Sequence, residues 1–196
     1  MNLPNKLTLG RLLLTIAFLL VFFCAAPFSE TLALVLFVAA SVTDHLDGRI
    51  ARRDKLITNF GILMDPLVDK ILVCSVFIAF VGRGLMPAWM VTVIVARELA
   101  ITGLRLLAAS KSIVLAAEGY GKHKTVSQMV AIVAILVMIS YPQWGPWAKA
   151  VFEFQVLGGP WATWFTELSK WTAVFFTALS GAIYLWRNRH LYLEEL

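Results

Sequence analysis

The chain has 196 residues, of which 60% are hydrophobic and only 15% charged. A soluble domain of this length carries about a quarter charged residues, so an ordinary water-soluble fold is excluded. The net charge of +5 comes without aromatic-interleaved basic patches, which excludes nucleic acid as the partner, and the two cysteines lie in apolar stretches, which excludes a disulfide framework. The apolar residues arrive in runs: Leu12 to Ala26, Thr31 to Thr43, Ile71 to Gly82, Leu85 to Ala96, Thr125 to Lys149 and Trp171 to Trp186. A bilayer core of ~30 Å needs roughly 20 mostly apolar residues per helix, fewer where polar positions face a protein cavity. The runs predict an all-α integral membrane protein, one domain over residues 1–196 with about six transmembrane helices.

In chain order, Asn2 to Lys6 contains a proline and polar residues and is expected to lie along the interface, with the first helix starting near Leu7. Phe22 and Cys24 offer no pair of small residues for signal cleavage, so this helix is expected to be retained. Ala26, Pro27 and Ser29 mark a turn, and a second helix runs from about Thr31, through Asp44 and Asp47, to near Arg53. Asp54 to Asn59 reads as a short turn before a third helix, Gly61 to about Phe80. Gly82, Gly84 and Pro87 break it, and a fourth helix follows over about Ala88 to Ala109. A polar connection, Ser110 to Lys124, opens the fifth. Pro142, Gly145, Pro146, Gly158, Gly159 and Pro160 punctuate a tryptophan-rich loop, and a sixth helix occupies about Glu167 to Arg187. Twelve lysines and arginines fall at alternate helix ends, against Arg83, Lys149 and Lys170 at the others. Because basic residues accumulate on the cytoplasmic side, both termini and the Ser110 to Lys124 connection are expected there.

Asp44, Asp47, Asp65 and Asp69 occupy the cytoplasmic ends of the second and third predicted helices. An ionisable group at membrane depth costs at least a few kcal/mol, so such residues usually mark function. Asp44 and Asp47 are three apart and Asp65 and Asp69 four apart, so each pair shares a helix face. The short turn between the helices makes them antiparallel neighbours, and carboxylates converging there would repel unless cations sat among them. Oxygen donors without histidine or cysteine favour magnesium, manganese or calcium over zinc. The bland alternative, pairing of the acids with Arg49, Arg52, Arg53 and Lys70, accounts for one or two of them. Gly48, Ala51 and Gly61 remove bulk beside the acids, which suits close helix packing or the approach of a ligand's phosphates; their place inside the acidic pattern favours the ligand.

The stretch Asp44-x-x-Asp47-Gly48-x-x-Ala51-Arg52, eight residues, Gly61-x-x-x-Asp65-x-x-x-Asp69 resembles the signature of the CDP-alcohol phosphatidyltransferase family, with every position filled. The resemblance implies a six-helix fold in the cell's inner membrane, often a homodimer, that binds CDP-diacylglycerol at a site with two divalent ions, Mg²⁺ or Mn²⁺. By that likeness Asp44, Asp47 and Asp65 are principal metal ligands, and Asp69 completes the site and acts as general base. Gly48, Ala51, Arg52 and Gly61 border the nucleotide.

The signature leaves the acceptor alcohol open. Arg97-Glu98-Leu99 with Ile101-Thr102 and Arg105, and Gly121-Lys122-His123-Lys124-Thr125 with Gln128-Met129, resemble the phosphatidylglycerophosphate synthase branch, as does Leu3-Pro4-Asn5-Lys6-Leu7-Thr8 with Arg11. This likeness reaches about Met138 and implies glycerol 3-phosphate as acceptor. The residue chemistry agrees: Arg97 and Arg105, eight apart on roughly one helical face, with Lys122 and Lys124 form a cationic cup for a phosphate. Rival readings are the same chemistry on phosphatidylglycerol, inositol phosphate or serine, and a divalent-cation transporter. Against a transporter, the acids cluster at one membrane face only.

Overall fold

The computed structural model describes the backbone of residues 3–54, 59–111, 113, 115, 120–156 and 158–193, with side chains throughout these segments except at 3–8, 44–54, 59–67, 69, 120, 122 and 193. Long helices dominate: α1 (Leu3–Phe23), α2 (Ser29–Asp54), α3 (Asn59–Gly82), α4 (Ala88–Ser110), α5 (Tyr120–Ser140) and α7 (Trp161–Arg187). Between α5 and α7 lie a 3₁₀ turn (Tyr141–Trp144), the short α6 (Pro146–Phe152) and a two-stranded hairpin of β1 (Gln155–Val156) and β2 (Gly159–Pro160). The short α8 (His190–Leu193) follows α7.

Two boundaries depart from the sequence expectation. Helix α1 begins at Leu3, not Leu7, with Pro4 in its first turn. Proline is tolerated there because its missing N–H belongs to the donors a helix start leaves unpaired anyway. Helix α7 begins at Trp161, six residues before the expected Glu167, immediately after the extended Pro160 (φ −60°, ψ 132°) that closes the hairpin. Cys24 falls just beyond α1 and is exposed, while Cys74 lies within α3; both are free thiols.

The surface is inverted relative to a soluble protein. On α1, Leu9, Leu13, Ile16, Leu20 and Phe23 are exposed at alternating spacings of four and three, one continuous apolar stripe. Leu32, Val35, Val38 and Val42 on α2, and Leu168, Trp171, Phe175 and Leu179 on α7, are likewise exposed at spacings of three or four. Exposed apolar area on this scale is compatible with lipid rather than water as the surrounding medium. Two helical stretches, His123–Trp144 and Trp161–Arg187, are long and apolar enough to cross a bilayer, and Leu9–Phe23, Ser29–Thr43 and Lys70–Gly82 are shorter apolar helices among the described residues.

Helix α1 packs on α2 and α3; α2 continues to α5, α5 to α7, α7 to α4 and α4 back to α3. The main core fills the interior of this arrangement with Phe18, Phe22, Phe37, Phe77, Phe80, Ile94, Ile132 and Leu136. A smaller cluster, Ile101, Leu104, Ala108, Tyr184 and Leu191, closes the opposite end between α4, α7 and α8.

The turn after α1, the turn after α3 and the tryptophan-rich segment gather at one end. Gly84 adopts a left-handed φ of 68° that turns the chain from α3 toward α4. Glu30 links the three connections: Arg83 Nη2 donates to its carboxylate at 3.0 Å and Gln143 Nε2 at 2.5 Å. Trp144 Nε1 donates to Thr31 Oγ1 at 2.9 Å. The tryptophan-rich loop is a packed cap, with Phe152 against Tyr141, Trp144 and Trp161 at ring separations of 5.2, 6.1 and 5.9 Å.

Candidate active site

Helix α4 buries one stripe, Met90, Ile94, Glu98, Ile101, Leu104 and Ala108. Glu98 is the anomaly in it, a carboxylate between Ile94 of the main core and Ile101 of the smaller cluster. A buried charge is tolerated when it is paired and hydrogen-bonded. Its partner is Lys124, from the first turns of α5, with side-chain exposures of 7% for Glu98 and 10% for Lys124. Arg97 Nη1 approaches the same carboxylate oxygen at a longer 3.4 Å. Adjacent helix positions diverge, so the sequence-neighbour pair is the weaker one and the tertiary pair dominates.

The polar layer continues around this ion pair. Lys70, on α3, donates to Thr102 Oγ1, whose own hydroxyl donates to the Glu98 carbonyl at 2.7 Å. Gln128 of α5 is almost wholly buried and donates to Thr177 Oγ1 of α7 at 2.9 Å. Arg105 Nε donates to Tyr184 Oη at 3.4 Å, with the guanidinium 5.8 Å from the ring centroid.

These groups surround a cavity of about 240 Å³ walled by four helices: Ser41 of α2, Lys70 and Val73 of α3, Glu98 and Arg105 of α4, and Lys124, Thr125 and Gln128 of α5. Its charged lining among the described residues is three cations to one carboxylate, a composition suited to an anion. Lysine supplies a point charge and arginine a planar fork of donors, both suited to phosphate.

The acidic pattern adjoins this cavity through the backbone. Asp44, Asp47, Gly48, Ala51 and Arg52 lie on α2, and Gly61, Asp65 and Asp69 on α3; their side chains lie outside the described residues. Ser41 in the cavity wall precedes Asp44 by three residues, less than one helical turn, and Lys70 directly follows Asp69. Of the expected cationic cup, Arg105 and Lys124 meet in the cavity, and Arg97 joins through Glu98. The Lys122 side chain lies outside the described residues. Sequence reasoning did not assign Lys70, Glu98, Thr125 or Gln128 to a site. Glu98, Thr125 and Gln128 stood only within the stretches of family likeness, Lys70 only as an alternative partner of the acids, and Glu98 is also a carboxylate at a position where the apolar period demands a buried residue.

The sequence pattern of the CDP-alcohol phosphatidyltransferases matches residues 1–179, well past the Met138 at which the sequence likeness stopped, and the chain belongs to that family. Among curated relatives, it is 39% identical to the CDP-diacylglycerol–glycerol-3-phosphate 3-phosphatidyltransferase of Bacillus subtilis, over 95% of this chain and 95% of that one. It is 33% identical to the protein of the same name from Rickettsia bellii, over 93% of both chains. A probable phosphatidylglycerophosphate synthase of Mycobacterium tuberculosis is 38% identical over 72% of this chain and 68% of its own.

Proposed function

We propose that this protein transfers the phosphatidyl group of CDP-diacylglycerol to glycerol 3-phosphate, releasing CMP and phosphatidylglycerol phosphate. The observation that carries the reading is the cation-lined cavity walled in part by the two helices that bear the acidic pattern; a phosphate-bearing acceptor in it would lie next to the donor's pyrophosphate.

In this reading Gly48, Ala51, Arg52 and Gly61 border the cytidine diphosphate, and Asp44, Asp47, Asp65 and Asp69 hold two divalent cations. Hard carboxylate oxygens on the two helices that wall the cavity through Ser41 and Lys70 fit Mg²⁺ or Mn²⁺. When bound, such ions offset pyrophosphate charge and favour in-line displacement. Arg97, Arg105, Lys122 and Lys124, with Lys70, receive the acceptor's phosphate and leave its hydroxyl directed toward the donor. Asp69, one residue from Lys70, takes the proton of that hydroxyl as its oxygen bonds to the β-phosphorus and the bond to CMP breaks. The reading places six transmembrane helices in the inner membrane, both termini and the cavity on the cytoplasmic side, and a homodimer as the working form.

The test is an acceptor panel with the purified protein, CDP-diacylglycerol and Mg²⁺ or Mn²⁺, measuring CMP release and identifying the lipid product. Glycerol 3-phosphate should give the highest kcat/KM. Faster turnover with inositol phosphate, serine or phosphatidylglycerol would reassign the acceptor, and absence of CMP release with every acceptor would refute the transferase reading.

A further inference from the structure

Helix α7 carries none of the signature, yet one of its faces reaches the cavity's polar layer at three levels. Thr177, Gly181 and Tyr184 follow at spacings of four and three, so they share a stripe, and all three are buried. Thr177 accepts from Gln128, and Tyr184 accepts from Arg105. Gly181 meets Arg97: a Cβ built on it would stand 2.8 Å from Arg97 Cγ, 3.7 Å from its Cβ and 4.0 Å from its Cδ.

We propose that Gly181 and Tyr184 are positioning residues for the acceptor's phosphate, Gly181 as the seat that fixes the Arg97 stem and Tyr184 as the shelf that fixes Arg105. The inference rests on the acceptor reading above. A carbon–carbon approach of 2.8 Å is well inside contact distance. The atom met is the first past Cβ, so relief requires a different χ1 rotamer and swings the whole guanidinium. Arg97 is otherwise lightly held: its Nη1 has the 3.4 Å contact with Glu98, and its buried Nε has no hydrogen-bond partner among the described residues. An arginine held by its stem, with a buried donor in reserve, is arranged to give that donor to a ligand. Gly103 of α4 is the contrast, since a Cβ there meets nothing within 4 Å.

The experiment is a pair of double-mutant cycles on the full-length enzyme, reading KM for each substrate, kcat and Tm. Gly181→Ala should raise KM for glycerol 3-phosphate about tenfold or more, the scale of one charged hydrogen bond, with KM for CDP-diacylglycerol nearly unchanged. In an Arg97→Ala background the same change should do nothing further to KM and should raise Tm. Only Cβ at 3.7 Å then remains opposite, and alanine is the better helix former. Tyr184→Phe keeps the ring and loses the acceptor oxygen, so it should raise the acceptor KM about two- to tenfold, an effect absent in an Arg105→Ala background. Gly103→Ala should be silent. Should Arg97→Ala change the donor's KM instead, while Gly181→Ala stays non-additive with it, the acceptor assignment falls and the seat stands. Additive effects, a Gly181→Ala enzyme equal to the parent, or a folding defect in Gly181→Ala that Arg97→Ala does not relieve would each overturn the seat. Additivity of Tyr184→Phe with Arg105→Ala would overturn the shelf.

Discussion

Removing the Glu98 carboxylate should destabilise the helix bundle as well as impair the enzyme. In Glu98→Ala the Lys124 ammonium, with a side chain only 10% exposed, loses its buried counter-ion, and Arg97 loses its 3.4 Å contact. Breaking a buried pair by deleting one partner costs about 3–5 kcal/mol, because the surviving charge stays desolvated. The cavity gives the freed ammonium some access to water, so the lower end, about 3 kcal/mol, is expected. For a chain of this size that corresponds to a fall in Tm of about 6–12 °C. Intrinsic tryptophan fluorescence of the detergent-purified, substrate-free protein reads it directly, since Trp89 lies on α4 with its ring 5.5 Å from Trp171 of α7, and Trp144 ends the 3₁₀ turn that follows α5. Glu98→Leu with Lys124→Leu should recover more than half of the loss, because replacing both charges leaves neither one unpaired. Activity would not return, since the acceptor's phosphate has lost Lys124. A fall below about 2 °C in Glu98→Ala, or no recovery in the double variant, would refute the claim that this pair is a buried, mutually dependent unit.

Arg105→Ala should raise KM for glycerol 3-phosphate about ten- to a hundredfold with the donor's KM nearly unchanged, and Arg105→Lys should recover part, since charge returns without the planar fork; equal weakening of both substrates would remove Arg105 from the acceptor site. Asp44→Ala, Asp47→Ala and Asp65→Ala should each abolish metal-dependent CMP release in protein that still inserts, and Asp69→Asn should reduce turnover far more than donor binding. Near-normal turnover in the three alanine variants would end the metal-site reading, and a parallel fall of binding and turnover in Asp69→Asn would make Asp69 a ligand rather than a base. In a variant lacking Cys24 and Cys74, single cysteines at Ser110 and Glu153, both exposed, should label from opposite sides of the membrane; labelling of both from one side would refute the six-span topology.

The apolar runs by themselves determined the number and approximate bounds of the long helices, because helix length and apolar content are local properties set by the bilayer's thickness and by backbone hydrogen bonding. The acidic pattern is equally local, since spacings of three and four along one helix place Asp44 with Asp47 and Asp65 with Asp69 on shared faces with no knowledge of neighbours. Local reading erred where a signal had two meanings. Pro4, read with its polar neighbours as an interfacial segment before Leu7, sits in the first turn of α1, and the glycines and prolines before Glu167 hid a helix that begins at Trp161. The choice of partners belonged to the tertiary structure. That Glu98 meets Lys124 more closely than its neighbour Arg97, that Lys70 reaches Thr102, and that Gly181 faces Arg97 depend on which helices are adjacent and at what depth. Residues far apart in sequence, Arg105 and Tyr184 or Gln128 and Thr177, carry no mark of one another, because a hydrogen bond depends on position in space and the chain between them runs through whole helices first.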